Sequence, residues 1–132
     1  MFVGQQQLLL LALGVIVIGI AIVVAISVFN ASAMESNREA VIIDLTNIAL
    51  TAQQYYRKAA ILTGGSNSFT GWTIPPGLLQ TSNMSTSVTA TIAAQSVTLV
   101  GFGTEIGKDG SSVVGVTMVV GPNAIVSTTV NN

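Results

Sequence analysis

The stretch Gly103-Thr104-Glu105-Ile106-Gly107-Lys108-Asp109 is where spacing first suggests chemistry, because glycines set ahead of a lysine can cradle phosphate. The glycines are too close for that loop, and Asp109 stands where Ser or Thr must reach magnesium. A charged hairpin turn is the reading these residues favour. Glu105 and Asp109 could reach a calcium ion, but two carboxylates are few for a shell of about six to eight oxygens. Glu35 and Glu39 share a helix face, as an acid–base pair would. With Arg38 between them and Asp44 following, a solvated or intersubunit charge patch of Glu35, Arg38, Glu39 and Asp44 is the expectation. Tyr55 and Tyr56 have no cofactor ligands beside them and read as anchors between helix and sheet. Asn83-Met84-Ser85 matches the glycosylation triplet and lies in a polar stretch, which makes Asn83 a candidate acceptor. Asn30-Ala31-Ser32 matches it at the end of an apolar run. The chain has neither cysteine nor histidine. That excludes a disulfide framework, thiol chemistry, histidine metal sites and a Ser-His-Asp triad. No catalytic, cofactor-binding or metal-binding residue is expected, hence no cofactor, no small-molecule substrate and no enzyme.

Composition points away from solution chemistry as well. The chain has 132 residues, enough for one small domain, with 50% hydrophobic but only 7% charged residues. Ordinary soluble domains carry about 25% charged residues. Four basic residues in all cannot form the clusters that neutralise a phosphate backbone, so no nucleic-acid partner is expected. Every charge lies either between residues 35 and 58 or between residues 105 and 109.

Residues 8–29 form an apolar run interrupted only by Gly14, Gly19 and Ser27. As a helix the run is about 33 Å long, close to a bilayer's hydrocarbon thickness. It is apolar all round, so lipid or other protein must enclose it. A signal peptide fits less well. Residues 1–7 lack Lys and Arg, and the run is longer than such segments need, although Ala31-Ser32-Ala33 has the form of a cleavage site. From residue 35 the pattern becomes amphipathic. Leu45, Ile48, Ala52, Tyr55, Ala59 and Leu62 recur at steps of three and four. Neither Pro nor Gly occurs between Ala21 and Thr63, which predicts one helix over residues 4–62, ended by a left-handed cap at Gly64-Gly65. Residues 63–77 hold clustered Gly and Pro and predict a loop, pinned to the core by Phe69 and Trp72. Beyond it, alternation of Val, Ile or Leu with Thr or Ser predicts four short strands around 88–92, 96–99, 114–120 and 126–130. Short separators favour an antiparallel meander, with one aliphatic face covering the helix and one face of Ser and Thr. The expected organisation is an apolar helix half at 1–34, an amphipathic half at 35–62, and a loop plus β-domain at 63–132. The fold class is α+β.

These parts together resemble type IV pilins and related class III-signal filament subunits. The resemblance is carried by residues 8–29, by the amphipathic residues 38–62, and by the strands after Thr86. It implies a structural subunit of an extracellular helical filament whose apolar N-terminal helices pack together. Leu8, Leu11, Val15, Ile18, Ile22, Ala25 and Phe29 would form the assembly core. Met1 and Gln5 would make the N-terminal assembly contact. The family usually has Glu at mature position five; counted from Met1 this chain has Gln5, whose amide can hydrogen-bond a neighbour's amine without a full ion pair. Ile22 stands where the family's helix-loosening proline is expected, and Gly14 and Gly19 could serve instead. The implied partners are copies of the same chain, with the inner membrane holding the subunit before assembly and the cell surface afterwards. The alternative is a single-pass membrane-anchored protein with a small external β-domain acting as a binding module.

Overall fold

A single helix, α1, spans Phe2–Arg57, in keeping with the absence of proline from this stretch. The structure is a computed structural model that describes residues 2–132, with side chains from residue 4 onward. Four strands follow: β1 (Thr89–Ile92), β2 (Val97–Ile106), β3 (Val113–Val120) and β4 (Ile125–Val130). They form one antiparallel meander in the order β1-β2-β3-β4. The fold is α+β, with the sheet packed on the second half of the long N-terminal helix, an arrangement compatible with pilin-like architecture. The chain divides into two compact units after Ala33.

Within the second unit the predicted stripe is the packing surface. Val41, Leu45, Ile48, Ala49 and Ala52 are buried on α1, and meet Val97, Leu99, Val114, Val116, Met118 and Val120 from β2 and β3. Alternation along β3 places its even-numbered residues inward, as a strand with one wet face requires. Gly101 lets the layers approach. A Cβ there would lie 3.2 Å from both Leu45 Cδ2 and Val41 Cγ1. At Gly103 a Cβ would collide with the Asn37 carboxamide. That carboxamide is needed, because the β2–β3 register shifts between Phe102 and Ile106. Asn37 Oδ1 accepts from the N–H groups of Thr104 (3.0 Å) and Glu105 (3.2 Å), replacing ladder bonds that the irregularity removes.

The helix ends five residues before the predicted point. The returning loop takes the last carbonyls: Gly65 N–H donates to Tyr55 O (2.7 Å), Asn67 N–H to Tyr56 O (2.7 Å) and Ser66 N–H to Lys58 O (2.9 Å). Ala59 and Leu62 therefore leave the stripe and are exposed, and a 3-10 turn covers Ala60–Leu62. The left-handed residue after that turn is Thr63 rather than either glycine. Gly64 and Gly65 serve close approach instead, since side chains there would strike the Lys58 and Ser68 backbone. Phe69 and Trp72 are buried, so the loop is pinned as expected. Phe69 packs on Tyr56 with ring centroids 4.8 Å apart.

Two further differences concern the sheet. β2 continues to Ile106, so Glu105 is a strand residue and the turn is confined to residues 107–112. The outer face carries Thr89, Thr91, Thr98, Thr117 and Thr129, but also Val100, Phe102 and Val119, and is less uniformly polar than the alternation suggests.

Gly101 gives a direct check of the helix–sheet spacing. Gly101→Val should destabilise the β-domain by about 1–3 kcal/mol through overpacking against Val41 and Leu45, measured by denaturant unfolding of the detergent-dispersed chain.

Candidate assembly surface and charge cluster

Two features compete for a functional role: the apolar helix surface of the first unit and the polar cluster at the start of the second. In the first unit no large apolar side chain between residues 8 and 29 is covered by the chain. Leu8 is 67% exposed, Ile22 55% and Phe29 73%, and Leu11, Val15 and Ile18 fall between. Ala25 and Gln5 are exposed too, while Met1 lies outside the described residues. The helix is long and apolar enough to cross a membrane, with no residue of its most apolar stretch buried. Its backbone groups are satisfied internally, so apolar surface is what it offers to a partner or to lipid. Ala21 and Ala25, four apart, present small side chains suited to close helix contact.

Within the chain Glu35 and Arg38 on one side and Asp44 on the other have separate partners. Arg38 Nη1 donates to Glu35 Oε2 at 2.6 Å, the one ion pair among the described residues. Its Nη2 donates to the Asn132 carbonyl (3.3 Å), while Nε is buried without a partner. Glu39 is exposed. Asp44 is committed within the chain: Thr81 Oγ1 donates to its Oδ2 at 2.6 Å and Asn83 Nδ2 at 3.2 Å. Those bonds tie residues 81–83 to α1, with Asn37 Nδ2 adding a bond to the Asn83 carbonyl (3.0 Å). The Asn83 nitrogen that would carry a glycan thus already holds Asp44, in a half-buried side chain.

Tyr55 and Tyr56 anchor different segments. The Tyr55 hydroxyl donates to Thr70 O (2.9 Å) in the loop, and that of Tyr56 to Gln95 Oε1 (2.8 Å) in the β1–β2 turn. The stretch that resembled a phosphate loop is closed on itself. Asp109 Oδ1 accepts from the N–H groups of Ser111 and Ser112 at 2.9 Å each. Asn132 clasps the same turn, donating from Nδ2 to Asp109 Oδ1 (3.1 Å), Ser112 O (3.0 Å) and Val113 O (3.1 Å), and accepting from Asp109 N–H (3.0 Å). An open cleft of about 590 Å3 beside it is lined by Arg38, Lys108, Asp109, Val130, Asn131 and Asn132. Two cations and one carboxylate line that cleft, and Arg38 also carries Glu35, which leaves little net charge to select a ligand. Among the described residues no cluster of acidic side chains could hold a metal. The roles of Asn37 and Asn132 are not evident from sequence spacing; Asn37 is a poor helix former inside a long helix, the one local sign of a side chain with another task.

The N–H groups of Ser111 and Ser112, then Asn132, hold the Asp109 carboxyl well below the ordinary value of 3.8. A depressed folded-state pKa means the carboxylate's contribution is present above the unfolded value and lost as pH falls through the folded one. Carboxyl NMR titration should find Asp109 still ionised at about pH 3. Melting of the β-domain should lose the Asp109 contribution progressively as pH falls from the ordinary carboxylate value toward the lower folded-state one, and Asp109→Ala should abolish that part of the acid dependence. No protein family, curated protein or solved structure matches this chain.

Proposed function

We propose that this chain is the structural subunit of an extracellular, type IV pilus-like helical filament, built by packing of its apolar N-terminal helices. The observation that carries the reading is the exposure of every large apolar side chain in residues 8–29, on a helix whose second half buries its apolar stripe of Val41, Leu45, Ile48 and Ala52. Apolar burial contributes about 25 cal/mol per Å2, so enclosing such a helix on all sides is worth on the order of tens of kcal/mol before ordering costs. Copies of the same helix supply a matching surface without unpaired polar groups. In this reading the membrane holds the subunit until assembly, and the Thr-bearing sheet faces outward. No enzymatic role is proposed. A helix able to cross a membrane equally suits a single-pass anchor carrying an external β-domain.

Shearing separates the two. A filament subunit is released with surface material and sediments as polymer, whereas an anchored protein stays with the cells. Val17→Asp would place an unpaired carboxylate in a lipid-like core at a cost of several kcal/mol. Loss of sedimentable filaments is expected, with the circular dichroism of the detergent-dispersed variant unchanged. Normal filaments from this variant would refute the placement of residues 8–29 in the core.

Cohesion of this kind is apolar, since residues 1–34 carry no charge. Salt screens charges and leaves apolar contacts, so filaments should survive about 1 M salt, where the Debye length is about 3 Å, and dissolve in mild detergent. Sedimentation of a salt and a detergent series checks this. Dissolution by salt with survival in detergent would assign cohesion to charge.

A further inference from the structure

The two edges of the sheet are treated differently. At the β1 edge the preceding loop occupies the backbone: Val88 N–H donates to Leu79 O (2.8 Å) and Phe69 N–H to Ala94 O (3.0 Å), so only the short stretch between them is open. β4, at the other edge, is exposed along its whole length, with Val126 at 69% and Val130 at 42%. Asn131 N–H donates to Gly115 O (2.8 Å), and the same register sets Thr129 opposite Thr117 and Ser127 opposite Val119. Backbone groups alternate in direction along an antiparallel strand. Those of Ser127 and Thr129 therefore face β3, and those of Thr128 and Val130 point away from the sheet. The irregularity opposite Val120 blunts the start of β4, and the regular edge runs from Ser127 to Asn131. Edge strands usually carry a charge or a proline that discourages pairing with another chain. β4 has neither, and no charged residue occurs after Asp109. The charges that come near it stand at its ends, Arg57 on the Asn123 side chain and Arg38, Lys108 and Asp109 around Asn132.

We propose that β4 pairs antiparallel with β4 of a second copy of this chain, about a two-fold axis at Thr129. Thr128 of each strand then exchanges backbone bonds with Val130 of the other, so that every outward N–H and C=O of these two residues finds a partner. The occupant is a strand because unpaired backbone, not a side-chain pocket, is what this edge presents. It is a copy of β4 because the pairing is self-complementary. Thr129 meets Thr129 of the second copy, a favourable cross-strand pair, Ser127 meets Asn131, and no like charges stand opposite each other. The β1 edge of a second copy is too short and too well covered to receive the regular length of β4. A two-fold axis normal to the sheet reverses the helix that lies on it, whereas copies stacked head to tail in one filament run the same way. The contact therefore joins separate filaments or separately anchored chains, and it does not rest on the filament reading.

An interface one strand long falls below the roughly 1,000 Å2 of a stable complex, so the test traps it covalently. The chain has no cysteine of its own. Thr129→Cys, Ser127→Cys and Thr91→Cys are oxidised as full chains dispersed in detergent; all three sites are exposed. Across the axis the two Cα atoms at position 129 would lie about 4.5 Å apart, within disulfide reach, while those at position 127 would be out of register. Thr91, on the outer face of β1, reports chance collision. Disulfide-linked dimer is expected to form at least ten-fold faster at 129 than at 127 or 91. Equal rates at the three positions, or a faster rate at 127 or 91, would overturn the proposal. The cross-linked dimer gives a second reading. Amide exchange of Thr128 and Val130 should be at least ten-fold slower in it than in the reduced chain, and unchanged exchange would overturn the pairing even where dimer had formed. Neither measurement uses filaments, so failure here leaves the filament reading intact.

Discussion

Everything in this chain is arranged around a helix surface that the chain itself does not cover. Residues 8–29 carry large apolar side chains on all sides, and those side chains are more than half exposed. Water is a poor solvent for such a surface, and a helix is the form in which a lone segment can leave water without stranding its backbone groups. The constraint dictates the composition. Charge is absent from residues 1–34 and sparse elsewhere, and the β-domain supports a helix rather than enclosing it. An isolated monomer in water is therefore an incomplete state of this molecule.

The β-domain solves its own problem with neutral polar groups. Asn37 repairs the irregularity in β2, Asn83 ties its loop to α1 through Asp44, and Asn132 closes the β2–β3 turn. Each bond is local in space and remote in sequence. Amides can donate and accept at once, which lets one side chain serve several backbone groups where a carboxylate only accepts. With one ion pair among the described residues, the cohesion of this unit comes from packing and hydrogen bonds rather than from charge pairs.

This division explains what could be read from the sequence. The helix, the stripe through Leu45, Ile48 and Ala52, and the meander are set by periodicity, a local property that survives in the sequence. The end of α1 is not local: loop residues 65–67 return to take the carbonyls of Tyr55, Tyr56 and Lys58, so the periodic positions Ala59 and Leu62 carry a pattern that the fold does not use. β2 looked shorter than it is because Gly101 and Gly103 occupy inward positions where alternation leads one to seek large apolar residues. Those glycines make sense only once α1 lies against them. Of the charge patch, the Glu35–Arg38 pair is local and legible, while Asp44 belongs to Thr81 and Asn83, partners 37 and 39 residues away. The uncovered apolar helix surface was the most legible feature, because hydrophobicity on all sides needs no partner to be recognised.

The distribution of basic residues has a consequence for proteolysis. A protease that cuts after Lys or Arg finds four positions in the whole chain. Arg38 sits inside α1 and is held by Glu35 and the Asn132 carbonyl; Arg57 and Lys58 lie where the helix end is bound by the returning loop. Lys108, exposed in the turn between β2 and β3, is the position from which a cut is easiest to imagine. A cut there would separate the covalent chain into two pieces that remain joined by the β2–β3 ladder, with Leu99 still opposite Met118 and Val97 opposite Val120. Digestion could sever this protein and leave it standing, so that the break would show on a denaturing gel and not in the folded β-domain.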